Sequence, residues 1–169
     1  VTFALVSGIL MVFVGFFCSR GALVLMGTPG DVIELSALYM KIYFMGMPFF
    51  MLYNYGAAIL RAIGDTKRPL LFLIIAGGIN VCLNLLLVIV FHLGVAGVAI
   101  GTVISQLVSS VLVLWCLWRA EGSYQLRVSK LKIQRTHLKQ IFQIGIPAGI
   151  QSMVINFSNV LLQSSVNSF

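Results

Sequence analysis

Charge is scarce in this sequence. Four Asp and Glu and eleven Lys and Arg make up only 9% of 169 residues, against 60% hydrophobic residues and a mean hydropathy of +1.05. A soluble domain carries nearer ~25% charged residues, so composition excludes one. Cysteine is sparse too. Cys18, Cys82 and Cys116 lie inside apolar runs with no close spacing, which reads as three small buried hydrophobes and offers neither metal-ligand nor disulfide chemistry. Missing as well are the short alternating segments of a membrane β-barrel, because the apolar runs are long and continuous. What remains is an all-α integral membrane protein built as a bundle of transmembrane helices. The sequence opens at Val1 and stops at Phe169, each in mid-run and without an initiator Met or a signal-peptide layout, so a piece of a longer protein is expected.

What is present is a series of apolar runs separated by turn signals. Spans are expected at about 1–26, 35–60, 70–91 and 95–118, followed by a basic connector over 119–140 and a more polar helix over 141–169. The runs at 70–91 and 95–118 carry no formal charge and are long enough to cross ~30 Å of hydrocarbon at ~1.5 Å per residue. Only His92, Leu93 and Gly94 separate them, so they are antiparallel neighbours. Pro48 inside the second span predicts a bend there. Pro147, at the start of the 141–169 segment, suits a first helical turn.

The excess of cations does not point to nucleic acid, because of where it lies. Nine of the eleven Lys and Arg fall in two places, Arg61–Arg68 and Arg119–Lys139, whereas the opposite loops at 27–34 and 91–94 hold Asp31 and Glu34 and no cation. Basic loops alternating with non-basic ones mark the cytoplasmic side of a membrane protein. The basic connector is expected to lie along the cytoplasmic surface, attracted to anionic lipid. Arg20 is expected to snorkel or to pair with Asp31 or Glu34.

Uncharged polar residues within the spans carry the functional reading. Asn80 and Asn84 are i and i+4, hence on one helical face. Counted at ~1.5 Å per residue, they lie ~15 and ~21 Å above the inner boundary and Thr102 ~18 Å above it, so hydroxyl and amides are level. Gln106 extends the Thr102 face by a turn. Asn54, just past Pro48, must point into protein or water, since an unpaired amide in lipid costs several kcal/mol. In the last segment Ser152, Asn156, Asn159, Gln163 and Asn167 recur at helical spacing as a polar stripe suited to lining a cavity. A second stripe, Gly97, Gly101, Ser105 and Ser109, reads as close helix packing. On periodicity alone the polar cluster remains either a site or the hydrogen-bonded glue common between membrane helices.

Taken in order, LYMKIYFMGMPF, ILRAIGDTKRPL, GGINVCLNLLLV, LGVAGVAIGTVISQ and the IGIPAGIQS opening resemble the multidrug and toxic compound extrusion (MATE) family of bacterial efflux transporters. The resemblance implies a twelve-helix, two-lobed protein of the bacterial inner membrane that exports amphiphilic, often cationic, drugs or toxins in exchange for Na⁺ or H⁺, without another cofactor. By that mapping, residues 1–118 are helices three to six of the N-terminal half and 141–169 the first helix of the C-terminal half, with N- and C-terminal parts of the same transporter missing. The resemblance also implies a cation site, in which Asn80 and Thr102 match family ligands while Asn84 stands where an acid is found. Asn54, Gln106, Asn156, Asn159 and Gln163 are the expected cavity residues. A carboxylate used by other branches on the helix after the connector has no counterpart in 141–169. The rival readings are a lipid-linked oligosaccharide flippase of similar architecture, which calls for a more cationic cavity, and a non-transporting helical membrane subunit.

Overall fold

Glycine and proline punctuate the apolar runs, and the helix boundaries follow them. The computed structural model describes residues 2–25, 30–120 and 135–167, among which every regular element is helical. Helix α1 is Thr2–Leu25, α2 is Gly30–Met45, α3 is Met47–Ala62 and α4 is Lys67–Leu85, continued by a π-helical turn, Leu86–Val90. Helix α5 is Gly94–Arg119 and α6 is Arg135–Asn167. The chain divides into two units, Val1–Leu131 and Lys132–Phe169.

In the first unit α3 lies against both α1 and α5, α4 pairs with α5, and α2 touches α1 and α5. Leu60, Val113 and Leu117 are fully buried where α3 meets α5, with Tyr53, Phe72 and Leu114 around them. Small residues set the approach. A Cβ on Gly56 would come within 2.9 Å of Val113, and one on Gly97 within 3.1 Å of Leu87. Outward faces carry Phe13, Phe17, Ile74, Ile89 and Trp118, all more than half exposed, a surface that only lipid or further protein would cover. Among the described residues three stretches are long and apolar enough to cross a membrane, Thr2–Gly21, Lys67–Val90 and Gly94–Arg119, and the bent pair Val32–Met45 and Met47–Ala62 is a fourth when counted as one broken span. Among the described residues α6 is not one of them; Gln143, Gln151, Asn156 and Asn159 interrupt its apolar run.

Several expectations shift. The bend expected at Pro48 falls at Gly46, where α2 and α3 meet at 45°. Pro48 sits in the first turn of α3, where its missing N–H removes no bond within α3. Helix α6 starts at Arg135 rather than Ile141, which places Pro147 inside a helix and not in its first turn. All three cysteines are free thiols; Cys18 and Cys82 are exposed on outward helix faces and not buried as expected, whereas Cys116 is half-buried against the Leu60, Val113 and Leu117 cluster. The expected turn at Gly27, Thr28 and Pro29 and most of the connector, 121–134, lie outside the described residues. Arg20 pairs with Glu34 at 3.1 Å, one of the two partners expected.

Two turns hold α3, α4 and α5 in register. At the first, Gly64 adopts a left-handed φ of +87°, its N–H donates to the Arg61 carbonyl, and the Asp65 N–H reaches back to Leu60. This pair of bonds is a Schellman cap on α3. Asp65 then starts α4, accepting from the Arg68 backbone N–H at 3.1 Å and pairing with Arg68 Nε at 3.3 Å. At the other corner His92 and Gly94 are left-handed, and the Leu93 N–H donates to Leu87 at 3.0 Å to close the π-helical turn.

Candidate functional site

Helices α3, α4 and α5 enclose a groove of about 370 Å³. Phe50, Tyr53 and Asn54 come from α3; Leu73, Ala76, Gly77 and Asn80 from α4; Thr102, Ser105, Gln106 and Ser109 from α5. Helical spacing puts each set on one face, and the Tyr53 hydroxyl ties two of the walls by donating to the Pro69 carbonyl at 2.9 Å. None of these residues carries a formal charge.

Asn80 is the hub. Its Nδ2 donates to Ser105 Oγ at 3.3 Å and to Thr102 Oγ1 at 3.5 Å, and its Oδ1 accepts from Asn84 Nδ2 at 3.1 Å. The hydroxyl protons are already committed along α5: Thr102 to Val98, Ser105 to Thr102 and Ser109 to Gln106, all to backbone carbonyls at 2.8 to 2.9 Å. Asn54 likewise gives Nδ2 to the Phe50 carbonyl at 2.8 Å. Each committed donor leaves oxygen lone pairs behind it, so the free hydrogen-bonding capacity of the wall is mainly that of an acceptor. Neutral oxygens of this kind can hold an N–H group or a hard cation such as Na⁺.

Asn54, Asn80, Thr102 and Gln106, expected from the sequence, therefore line one groove. Asn84 does not. It is bonded to Asn80, but it lines a second recess with Val81, Leu85, Val88 and Ile89, and its Oδ1 is buried without a hydrogen-bond partner against Gly101. Asn156 and Asn159 are exposed on α6 in the second unit, and the side chain of Gln163 lies outside the described residues. Ser105 and Tyr53 are groove residues that the pattern of the sequence did not single out. Ser105 was assigned to the small-residue stripe, yet it is one turn from Thr102 on the same face, and that spacing was the available signal. All four stripe residues are buried, so Ser105 both packs and bonds.

A family model, MatE, matches residues 1–86. The "Probable multidrug resistance protein YpnP" of Bacillus subtilis (strain 168) is 36% identical over 156 residues, which is 92% of this chain and 34% of that protein. "Multidrug export protein MepA" of Staphylococcus aureus (strain MRSA252) is 26% identical over 155 residues, again 92% of this chain and 34% of that protein. The chain thus spans about a third of the length of these relatives. Its fold matches a solved structure described as "Crystal structure of MATE in the bent conformation" with a TM-score of 0.82, at 24% identity over 89% of this chain and 34% of that one. With the family model matched over half of its residues, this chain belongs to the MatE family, whose members are membrane transporters and not enzymes.

Proposed function

We propose that this chain forms part of a secondary active exporter of the bacterial cell membrane, one that moves amphiphilic, cationic compounds outward by alternating access in exchange for Na⁺ or H⁺. The names of its relatives support drug export. The observation that carries the cationic preference is the acceptor-rich, uncharged wall of the α3–α4–α5 groove, where Thr102, Ser105 and Ser109 have already donated their protons to α5 carbonyls. An anion would find few free donors there, whereas a cation or N–H group finds oxygens, with Phe50 and Tyr53 rings beside them. A flippase for anionic lipid-linked sugars calls for cations in the cavity. The two candidates, Arg20 and Lys41, are engaged elsewhere, with Glu34 and over the Phe16 ring, and do not line the groove.

For coupling, Asn80 and Thr102 supply oxygens to the groove but nothing that titrates, and Asn84 is an amide whose oxygen faces Gly101 and not the groove, so the groove suits a bound Na⁺, and a transported proton would need a carboxylate elsewhere. In the whole transporter, Asn80→Leu removes the hub of the network without adding charge. Transport should fall and the apparent Na⁺ affinity drop by about 10-fold, the scale on which one supporting partner acts at a metal site. Asn84→Asp should make transport more pH-dependent by adding a titratable group. If both variants keep wild-type ion and pH dependence and Asn80→Leu merely unfolds at lower temperature, the cluster is interhelical glue and the coupling assignment is wrong.

A further inference from the structure

The break between α2 and α3 and the groove share one side chain. At Gly46 the regular bonding pattern is interrupted: its N–H donates to Tyr43 at 3.0 Å, three residues back, and its carbonyl is shared by the N–H groups of Phe49 and Phe50, each at 3.1 Å. Pro48 has no N–H, so the Phe44 carbonyl has no helical partner four residues on. The joint is seated on α1, where a Cβ on Gly8 would lie 2.5 Å from Pro48 Cα and one on Gly15 would overlap the Phe44 ring. Opposite α1, the notch left by Gly46 is filled from α5. A Cβ there would lie 2.6 Å from Gln106 Oε1 and 3.0 Å from Val103 Cγ2. Gln106 Oε1 is buried and has no hydrogen-bond partner, although the same side chain lines the groove.

We infer that Gln106 is a positioning residue that ties occupancy of the groove to the angle of the α2–α3 joint. With the groove empty its carboxamide wedges the Gly46 notch and holds the 45° bend. A cationic or N–H-bearing occupant supplies the partner that Oε1 lacks, draws the carboxamide toward the groove and frees the joint. The device rests on the reading that the groove takes such an occupant.

The test follows the joint directly in the whole transporter. Cys18, Cys82 and Cys116 are replaced by Ala, and spin labels are placed at Leu35→Cys on α2 and Ala58→Cys on α3, both exposed positions. The probe is ethidium, an amphiphilic cation with N–H groups, titrated to saturation by its own fluorescence in each variant. Leu35 lies ~16 Å along α2 from Gly46 at ~1.5 Å per residue, so each ~10° of bend moves it by ~3 Å. Wild type should shift by at least that much on binding. In Gln106→Leu the ethidium-induced shift should be lost. In Gly46→Ala the new Cβ expels the carboxamide, and the interlabel distance should no longer depend on ethidium. A wild-type shift retained in either variant overturns the inference, as does ethidium binding to wild type without any shift, which leaves the groove reading intact. If wild type fails to bind ethidium at all, the groove reading fails and takes the inference with it.

Discussion

At the scale of single residues, the close approach of Asn84 to Gly101 decides how the amide cluster is held. A Cβ on Gly101 would overlap Asn84 Oδ1, so the hydrogen that glycine carries in that direction points at the otherwise unpartnered oxygen, a weak C–H···O contact. Gly101→Ala should push the Asn84 carboxamide aside, break its bond to Asn80 and lower stability by about 1–3 kcal/mol, the usual scale of overpacking. Ser105→Ala removes one acceptor from Asn80 and should lower it by only about 0.6–2 kcal/mol, as membrane hydrogen bonds do. Thermal unfolding of the two purified variants ranks them, and an undisturbed Gly101→Ala protein would mean that α4 and α5 part easily. Counting depth along two uncharged spans was enough to level Asn80 with Thr102, and the structure joins them at 3.5 Å. Depth gives no rotation, however, and rotation is what turns the Asn84 oxygen toward Gly101 and away from the groove. Ser105 was hidden for a related reason, since a small polar residue in a glycine stripe serves packing and bonding at once.

At the scale of elements, the turns were legible and the bend was placed two residues off. Gly-Asp after Arg61 signalled a stop, and the chain uses Gly64 to end α3 and Asp65 to start α4. Proline drew the expected bend to Pro48, but proline is tolerated in a first helical turn, so the break lies just before it at Gly46. The same logic misplaced Pro147, because the helix that holds it starts upstream among basic residues whose helical continuity no apolar pattern announces. The Gly64 cap gives a test of backbone conformation alone. Its φ of +87° has nothing within 4 Å of a Cβ position, so a side chain there meets strain and not a clash. Gly64→Ala should destabilise the protein by about 1 kcal/mol and Gly64→Asn by less, since Asn tolerates left-handed backbone better. Equal effects of Ala and Asn in thermal unfolding would show that the turn relaxes and that the cap contributes little.

At the scale of the whole molecule, four cations gather at one end of the α3–α4–α5 group. Arg61 closes α3, Lys67 and Arg68 open α4 and Arg119 closes α5. Arg68 Nη1 lies 3.8 Å from Cys116 Sγ and the Arg119 guanidinium 4.7 Å from the Trp115 ring centre, so two of these cations rest on the last turns of the same helix. The opposite end of the α4–α5 hairpin, Phe91 to Gly94, has no Lys or Arg. Cations are retained on the cytoplasmic face of a membrane, and aromatic residues such as Trp115 and Trp118 favour the interface beside them. In a protein whose Cys18, Cys82 and Cys116 are replaced by Ala, Thr66→Cys should therefore react with a membrane-impermeant thiol reagent only after the cells are opened. Leu93→Cys, exposed at the other corner, should react in intact cells. Labelling of Thr66→Cys alone from outside would invert the hairpin, placing every basic turn on the wrong side and removing the physical basis for reading this chain as the cytoplasm-anchored part of an exporter.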